Sequence, residues 1–506
     1  MSNKKNLGIK TLYGAILLNL ILSTYHLPPN LFHYFFSYLV YINENIYNRE
    51  KVEVLLSLSY LIYLIFVPFG IILNFYFNFN TSTLTGISLL LKIISNYILM
   101  NCSTNKKFIL YLIIKSSSYG LCLIPVLIEL WKYYPNKKGL ITGVFYLGKG
   151  ILYLIYEPIS IKIINPKNIN IIANKGVYPV EINENFYIYL KASLTALCIL
   201  GSLCQCLIYP YSIYINFFNY KKNKFKAKMS KGLLKDFYIL SSNTNRNTIG
   251  STKNSSSENW LGNSDRENEI KKEIKEPFFS LITSYPFIQL TFIYFLVMVF
   301  NSIDLSSIKK IGLNNYFDGI FLLYSNIIWK FTYIICNVTL GYIIDKIKIK
   351  RLLVLLFLIQ IFSISIFYFI TDNKYGFILF NILNSVINSS NNVVVPISFL
   401  NIFGEKNGIL LYGISSVIIN TFYIYRTFIF HILVEKIYYF VLCLVCTIFY
   451  MVALITLCLF EEKKHIYKIE DEGKEQIMFD DLAYEQELNE LDICDVNEFK
   501  NINNED

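Results

Sequence analysis

The feature that most constrains this chain is a series of apolar blocks, each about 20 residues long, the length of helix that crosses a bilayer core. Only helices and closed barrels satisfy their backbone hydrogen bonds in lipid. The blocks do not alternate apolar and polar residues as barrel strands do. With 54% hydrophobic and 16% charged residues, the sequence predicts an all-α polytopic membrane protein.

Twelve spans are predicted, and a polar stretch separates the first six from the last six. They lie near residues 11–31, 53–75, 84–103, 108–131, 139–163, 187–213, 279–302, 318–344, 351–371, 375–402, 408–432 and 437–460. The chain therefore divides into an N-terminal six-helix bundle (1–213), a linker (214–276), a C-terminal six-helix bundle (277–460) and a tail (461–506).

Basic residues orient the predicted spans. Lysine-rich segments at 132–138, 221–231 and 345–351 all fall on one side of the membrane, together with both termini. By the positive-inside rule this side faces the cytosol, or the equivalent face of an organelle membrane. The sequence fits a plasma membrane and an organelle membrane equally well.

The linker and the tail differ in charge. The linker begins polybasic. Either its lysines bind anionic headgroups of membrane lipids, or the linker is a solvated tether between the bundles. The tail holds 16 acidic residues against 5 lysines, and is either a binding segment for an unidentified protein or simply solvated. No nucleic-acid partner, metal or cofactor is predicted. Paired carboxylates, a histidine cluster and a nucleophile motif are all missing from the sequence, which argues against an enzyme.

Two loop motifs repeat between the halves. KYYPNKKGLITG (132–143) and FGEKNGILLYG (403–413) each join an even span to an odd one and place a basic residue shortly before two glycines. The residues concerned are Lys137, Lys138, Gly139 and Gly143 in the first and Lys406, Gly408 and Gly413 in the second. A looser pair is PFGIILN (68–74) and GYIIDKIKIKR, which carries Gly341 and Asp345. A two-fold repeat of six helices is typical of a transporter.

These motifs resemble those of a known family. GYIIDKIKIKR is similar to the loop motif G-x-x-x-D-[RK]-x-G-[RK]-[RK] of the major facilitator superfamily, without its second glycine. The segments 132–143 and 403–413 resemble loops of that family's monocarboxylate and oxalate/formate branch, in a protozoan-type member. The resemblance implies two pseudo-symmetric six-helix bundles that move a solute by alternating access.

The 132–143 loop is interpreted as a hinge and latch. Pro135 cannot donate a helical hydrogen bond, so it ends a helix or begins a turn. Lys137 and Lys138 are expected at anionic headgroups, while Gly139 and Gly143 let a neighbouring helix approach closely. Asp345 can accept hydrogen bonds from a nearby helix N-terminus, where the helix dipole favours negative charge.

The candidate substrate residues are charges inside the spans. The resemblance implies substrate-binding cations at two positions that hold Asn337 and Ile419 here. Lys330 and Arg426 lie two helical turns from these positions, both toward the non-cytosolic face. The repeat places Glu157 at the depth of Arg426, and span 5 neighbours span 8 in the family fold. We therefore predict an outer vestibule or gate formed by Glu157, Lys330 and Arg426, unless the two basic side chains reach the headgroups instead.

Three further polar residues are weaker candidates. His26 is either a proton carrier or a partner of the backbone that the adjacent prolines leave unpaired. Lys115 in span 4 is expected to line the cavity, and Lys92 in span 3 is ranked below it. The predicted function is secondary transport of a small organic monoanion such as lactate or pyruvate, with or without a proton. The alternatives are a carrier for a different solute and a transporter-like nutrient sensor or scaffold.

Overall fold

The computed structural model describes most of the two predicted bundles. The described residues are 2–24, 29–42, 49–77, 79–167, 169, 178–211, 278–314, 316–370, 373–421 and 439–460. Within them the chain is helical, with loops between helices and no strand. The linker and the tail lie outside the described residues, so the predictions about them stay predictions.

Each of the twelve predicted spans corresponds to a helix or to a run of short helices. The helices of the N-terminal half are α1 (Ser2–Ser23), α2 (Pro29–Ile42), α3 (Arg49–Phe75), α4 (Thr81–Met100), α5 (Asn105–Tyr133), α6 (Lys138–Phe145), α7 (Leu147–Ile151), α8 (Glu157–Ile164) and α9 (Val180–Leu207). In the C-terminal half they are α10 (Phe278–Ile282), α11 (Tyr285–Asn314), α12 (Gly319–Ile344), α13 (Ile349–Ile370), α14 (Lys374–Phe403), α15 (Glu405–Asn420) and α16 (Tyr439–Leu459).

The helices have the composition of membrane spans. Nine segments within the described residues are long and apolar enough to cross a bilayer, and four shorter apolar helices accompany them. Large apolar side chains remain exposed on the outer helix faces, among them Leu90 and Ile94 of α4, Leu355 and Phe362 of α13, and Ile455 of α16. Such a surface is stable against acyl chains, where apolar exposure carries no penalty. The chain is an integral, multi-pass helical membrane protein.

Span 5 is built from several pieces, and a proline accounts for the last of its breaks. Pro158 lacks the amide that would continue the helix, and its ring crowds the preceding turn. A wide π-helical turn over Leu152–Tyr156 precedes it, and α8 begins at Glu157. The deformation reorients the end of the span at the position of Glu157.

One helix was not predicted. The first span was expected to reach residue 31, but α1 ends at Ser23 and a separate helix, α2, occupies Pro29–Ile42. Pro29 stands at the start of α2, where its missing amide has no intrahelical partner to lose. Buried side chains of α2 join a second hydrophobic core with α5 and α9, formed in part by Leu31, Phe35, Leu39, Phe108, Leu112 and Phe186.

The two halves meet along two seams. The first seam is formed by α6, α7 and the π-helical turn against α12, with α14 also packed on α6, and the second by α15 against α3. We call the end at which Gly139 lies beside Asp345 the latch end, and the opposite end the far end. A single hydrophobic core contains buried residues of both halves.

Candidate functional site

Glycines bring the backbones of the first seam into contact. A methyl group added at Gly143 would collide with the carbonyl oxygen of Asn337, and one added at Gly341 with that of Gly139. One added at Gly150, nearer the far end, would collide with the side chain of Ile334. Span 5 and α12 therefore approach each other closely at their backbones, as was expected of Gly139 and Gly143.

A carboxylate clamps this seam at the latch end. Asp345 accepts hydrogen bonds from the backbone amides of Gly139, at 2.7 Å, and Leu140, at 2.9 Å. These amides belong to the first turn of α6, where they have no intrahelical acceptor, and the helix dipole adds attraction for the negative charge. The predicted contact between Asp345 and a helix N-terminus is present in the structure.

The loop before α6 is held in shape by Trp131. Its indole nitrogen donates to the hydroxyl of Thr142 at 2.9 Å and to the carbonyl of Lys138 at 3.2 Å. Helix α5 ends at Tyr133, and Pro135 opens a short 3₁₀ turn, as its missing amide predicts. Lys137 is exposed and Lys138 is partly buried. Their contact with lipid headgroups stays a prediction.

An ion pair joins the halves at the far end of the same seam. Lys330 of α12 donates to the carboxylate of Glu157, and the two residues are only 5% and 1% exposed. The structure therefore brings together two of the three residues of the expected vestibule, with Lys330 pointing into the protein. Because Glu157 compensates its charge, Lys330 is not an uncompensated cation for a substrate.

Several expected site residues lie outside what the structure describes. His26 and Arg426 are not among the described residues, and the side chain of Lys406 is not described although its backbone lies in α15. Their predicted roles stay predictions. Asn337 is described and fully buried, and its amide donates to the carbonyl of Tyr333 at 3.0 Å.

The second seam has different contacts. A methyl group added at Gly413 would meet the end of the Ile71 side chain and, less closely, Pro68, while Gly408 packs on the backbone of Phe399 in its own half. Gly70, the expected counterpart of Gly341, packs on the backbone of Leu121, also within its own half. The looser of the two sequence repeats therefore does not produce equivalent contacts between the halves.

Tyrosines from both halves gather between the two seams. Tyr119 of α5 lies near Tyr60, Tyr333 and Tyr412, and Tyr146 lies near Tyr63, Tyr119, Tyr333 and Tyr412. The rings of Tyr63 and Tyr119 are centred 5.0 Å apart. The tyrosine cluster comprises Tyr60, Tyr63, Tyr119, Tyr146, Tyr333 and Tyr412. The chain has 41 tyrosines, so the sequence offered no reason to single these out.

Two lysines flank the tyrosine cluster on its far side. Lys115 precedes Tyr119 by one turn of α5, and Lys149 follows Tyr146 by about one turn. Helical side chains lean toward the N-terminus of their helix. Lys149 therefore leans back toward Tyr146, while Lys115 leans away, and its ammonium lies 5.3 Å from the centre of the Tyr111 ring.

Lys149 was not among the candidate residues predicted from the sequence, although a lysine inside span 5 is the kind of intramembrane charge that signals a functional residue. It is partly buried, and no carboxylate of a described residue pairs with its ammonium. It is therefore a better candidate than Lys330 for an anion-binding group between the halves.

Comparison with solved structures identifies the fold. FucP, a major facilitator superfamily transporter in the outward conformation, superposes with a TM-score of 0.59 and 11% identity, covering 90% of this chain and 100% of that chain. The proton:xylose symporter XylE, bound to 6-bromo-6-deoxy-D-glucose, gives a TM-score of 0.62 and 14% identity, covering 91% of this chain and 96% of that chain. The chain has the major facilitator fold. No family model and no curated protein matches its sequence.

The major facilitator fold confirms the predicted architecture of twelve membrane helices in two related bundles. At these identities the likeness concerns the fold and not the substrate. The resemblance to the monocarboxylate and oxalate/formate branch rests on the loop motifs alone and stays a prediction.

Proposed function

We propose that this chain is a secondary transporter that carries a small organic monoanion by alternating access. The observation that carries the proposal is the first seam, where two bundles of the major facilitator fold meet through backbone contacts and two hydrogen bonds to Asp345. Those hydrogen bonds lie at helix ends, so they can break while each bundle keeps its core. One carboxylate then sets whether the latch end is closed or open.

The substrate is placed between the tyrosine cluster and Lys149. Phenol hydroxyls can donate to a carboxylate, and a single lysine matches a single negative charge. Lys330 cannot serve in this way while Glu157 compensates it. A molecule of the size of lactate or pyruvate therefore fits the chemistry better than a dianion. The ion pair and Arg426 are proposed as a gate at the far end.

A neutral hydroxylated solute is the second candidate. Phenols and amides dominate the centre, and Asn392 donates to the hydroxyl of Tyr333 at 2.7 Å. XylE, whose substrate is a sugar, has the same fold. The charge of Lys149 is what favours a monoanion over such a solute.

Uptake into proteoliposomes tests the proposal. Labelled pyruvate should accumulate, with or without help from a pH gradient, and unlabelled lactate should compete with it. Lys149→Met should abolish uptake, and Lys149→Arg should keep a measurable fraction. Uptake of xylose but not of pyruvate, unchanged in Lys149→Met, would instead establish the neutral-solute alternative. Binding without accumulation, lost when the tail 461–506 is deleted, would indicate the nutrient sensor.

The setting of the transporter is part of the same proposal. Both termini and the latch end are placed on the cytosolic side, in a plasma or organelle membrane, because the latch-end loops carry the lysines. Protons are proposed as a coupling ion, and membrane lipids and a protein bound by the tail as partners.

A further inference from the structure

A partly open cavity lies inside the N-terminal half. This cavity, of about 140 Å³, lies between α1, α2, α4, α5, α9 and the π-helical turn. None of the residues of the tyrosine cluster lines it. Its walls are mainly apolar, with Leu20, Ile21, Leu197 and Leu200 contributed by α1 and α9. Its polar lining includes Lys92, Asn96, Tyr111, Tyr189 and Ser193.

Lys92 is the unusual member of this lining. It lies in the middle of α4 and is 3% exposed, yet the described residues supply no carboxylate or hydrogen-bond acceptor to its ammonium group. A lysine buried at membrane depth is costly unless an anion or water compensates it. The cavity that Lys92 lines offers space for such an anion.

The other titratable groups around Lys92 do not compensate it. Lys115 of α5 interacts electrostatically with Lys92 and carries the same sign of charge. Glu129 accepts from Lys132 at 3.1 Å and from Thr81 at 3.0 Å, toward the latch end. Glu157 is paired with Lys330. The hydroxyls of Tyr156 and Tyr189 are hydrogen-bonded to each other. One of the two, together with Tyr111, can therefore donate a hydrogen bond to an anion.

We propose that this cavity binds a monocarboxylate with an apolar body, at a site separate from the transport pathway. The carboxylate contacts Lys92, and the body lies among the leucines of α1 and α9. A cavity of about 150 Å³ is known to hold benzene, so an aromatic ring fits the 140 Å³ available here. The cavity is reached between α4 and α9, where Ala196 is exposed on the lipid-facing surface and Asn96 is partly exposed.

Equilibrium binding of labelled benzoate to the full-length protein in lipid nanodiscs tests the site. Benzoate should bind the unchanged protein, Lys92→Met should weaken its affinity at least about tenfold, and Lys92→Arg should largely retain it. Leu197→Phe, which fills the cavity without changing charge, should also remove binding. If Lys92→Met does not fold, Leu197→Phe decides alone, and unweakened binding in whichever variant folds overturns the proposal.

Lys149→Met separates this site from the transport site. We expect that variant to lose pyruvate uptake and to keep benzoate binding. If instead Lys149→Met abolishes benzoate binding while Lys92→Met leaves it intact, benzoate occupies the transport pathway and the second site does not exist. Competition by decanoate distinguishes the source of the ligand. If decanoate partitioned into the nanodisc displaces benzoate, the ligand is a membrane fatty acid. If decanoate does not displace benzoate, the ligand is a small free acid.

Discussion

The first seam and the second seam occupy related positions in the two halves, yet different groups hold them. In the first seam, the backbones of span 5 and α12 touch at Gly139, Gly143 and Gly341, with the Asp345 clamp at one end. In the second, Gly413 faces the end of the Ile71 side chain and, less closely, Pro68. Asn74, at the position related to Asp345, donates to the carbonyl of Phe79 in its own loop at 3.0 Å.

This difference implies that the two seams respond differently when the bundles move. A backbone contact cannot deform, so the first seam has to open or rotate as a unit. A contact made by side chains can adjust by rotamer changes, so the second seam can follow the motion. We infer that the first seam sets the conformational state and that the second accommodates it. The pseudo-symmetry of the fold does not extend to these contacts.

The largest expected effect comes from adding a methyl group to each seam. Gly143→Ala places a carbon against the backbone of Asn337, so uptake should fall by at least about a hundredfold, with a lower unfolding temperature. Gly413→Ala meets the flexible end of Ile71 and should retain most of the uptake. Equal losses in the two variants would show that the seams do not differ in the way described.

Breaking the far-end ion pair comes next. Glu157→Gln leaves the buried ammonium of Lys330 uncompensated, which should lower the free energy of unfolding by about 3–5 kcal/mol. Thermal unfolding of the purified variant measures this loss. The double variant Glu157→Gln/Lys330→Met should recover much of it, because no unpaired charge then remains. Additive losses in the two substitutions would contradict a direct pair.

The Asp345 clamp should contribute less. Asp345→Asn removes the negative charge and replaces one of the two acceptor oxygens with an NH2 donor, so one of the two hydrogen bonds is lost. We expect the closed state to lose about 1–3 kcal/mol relative to the open state. Accessibility of a cysteine at the latch end to a water-soluble maleimide should rise accordingly. Unchanged accessibility would mean that the clamp does not hold the closed state.

The smallest effect is expected at the related position of the second seam. Asn74→Ala removes an exposed hydrogen bond within a loop, so it should change stability and accessibility by less than about 0.5 kcal/mol. The same maleimide assay and thermal unfolding provide the measurements. An effect as large as that of Asp345→Asn would restore functional symmetry between the seams.

Much of the fold follows from the sequence because apolar length and glycine spacing act locally. The twelve spans, the turn at Pro135 and the Asp345 contact are all encoded in short segments. Helix α2 was missed because its apolar residues continue those of span 1, and their packing on α5 and α9 depends on distant parts of the chain. The deformation before Pro158 was also not predicted, although the proline that accounts for it is a local feature of the sequence.

The site was harder to predict than the fold. Glu157 and Lys330 were found because charges within apolar spans are rare and costly. The tyrosine cluster assembles from four helices and the break between α6 and α7, and nothing local distinguishes its members from the other tyrosines. Lys149 could have been found by the rule that found Lys330.

A distance measurement across the latch end tests the central claim that the first seam opens and closes. Spin labels at Lys137→Cys and Lys348→Cys, both exposed positions in opposite halves, would be placed in a variant whose exposed native cysteines are replaced. Pulsed electron paramagnetic resonance should show two distances between the labels, a short one and a longer one. The population with the longer distance should grow in Asp345→Asn, and the ratio of the two populations should change when pyruvate is added. One distance, unchanged by pyruvate and by Asp345→Asn, would contradict the account.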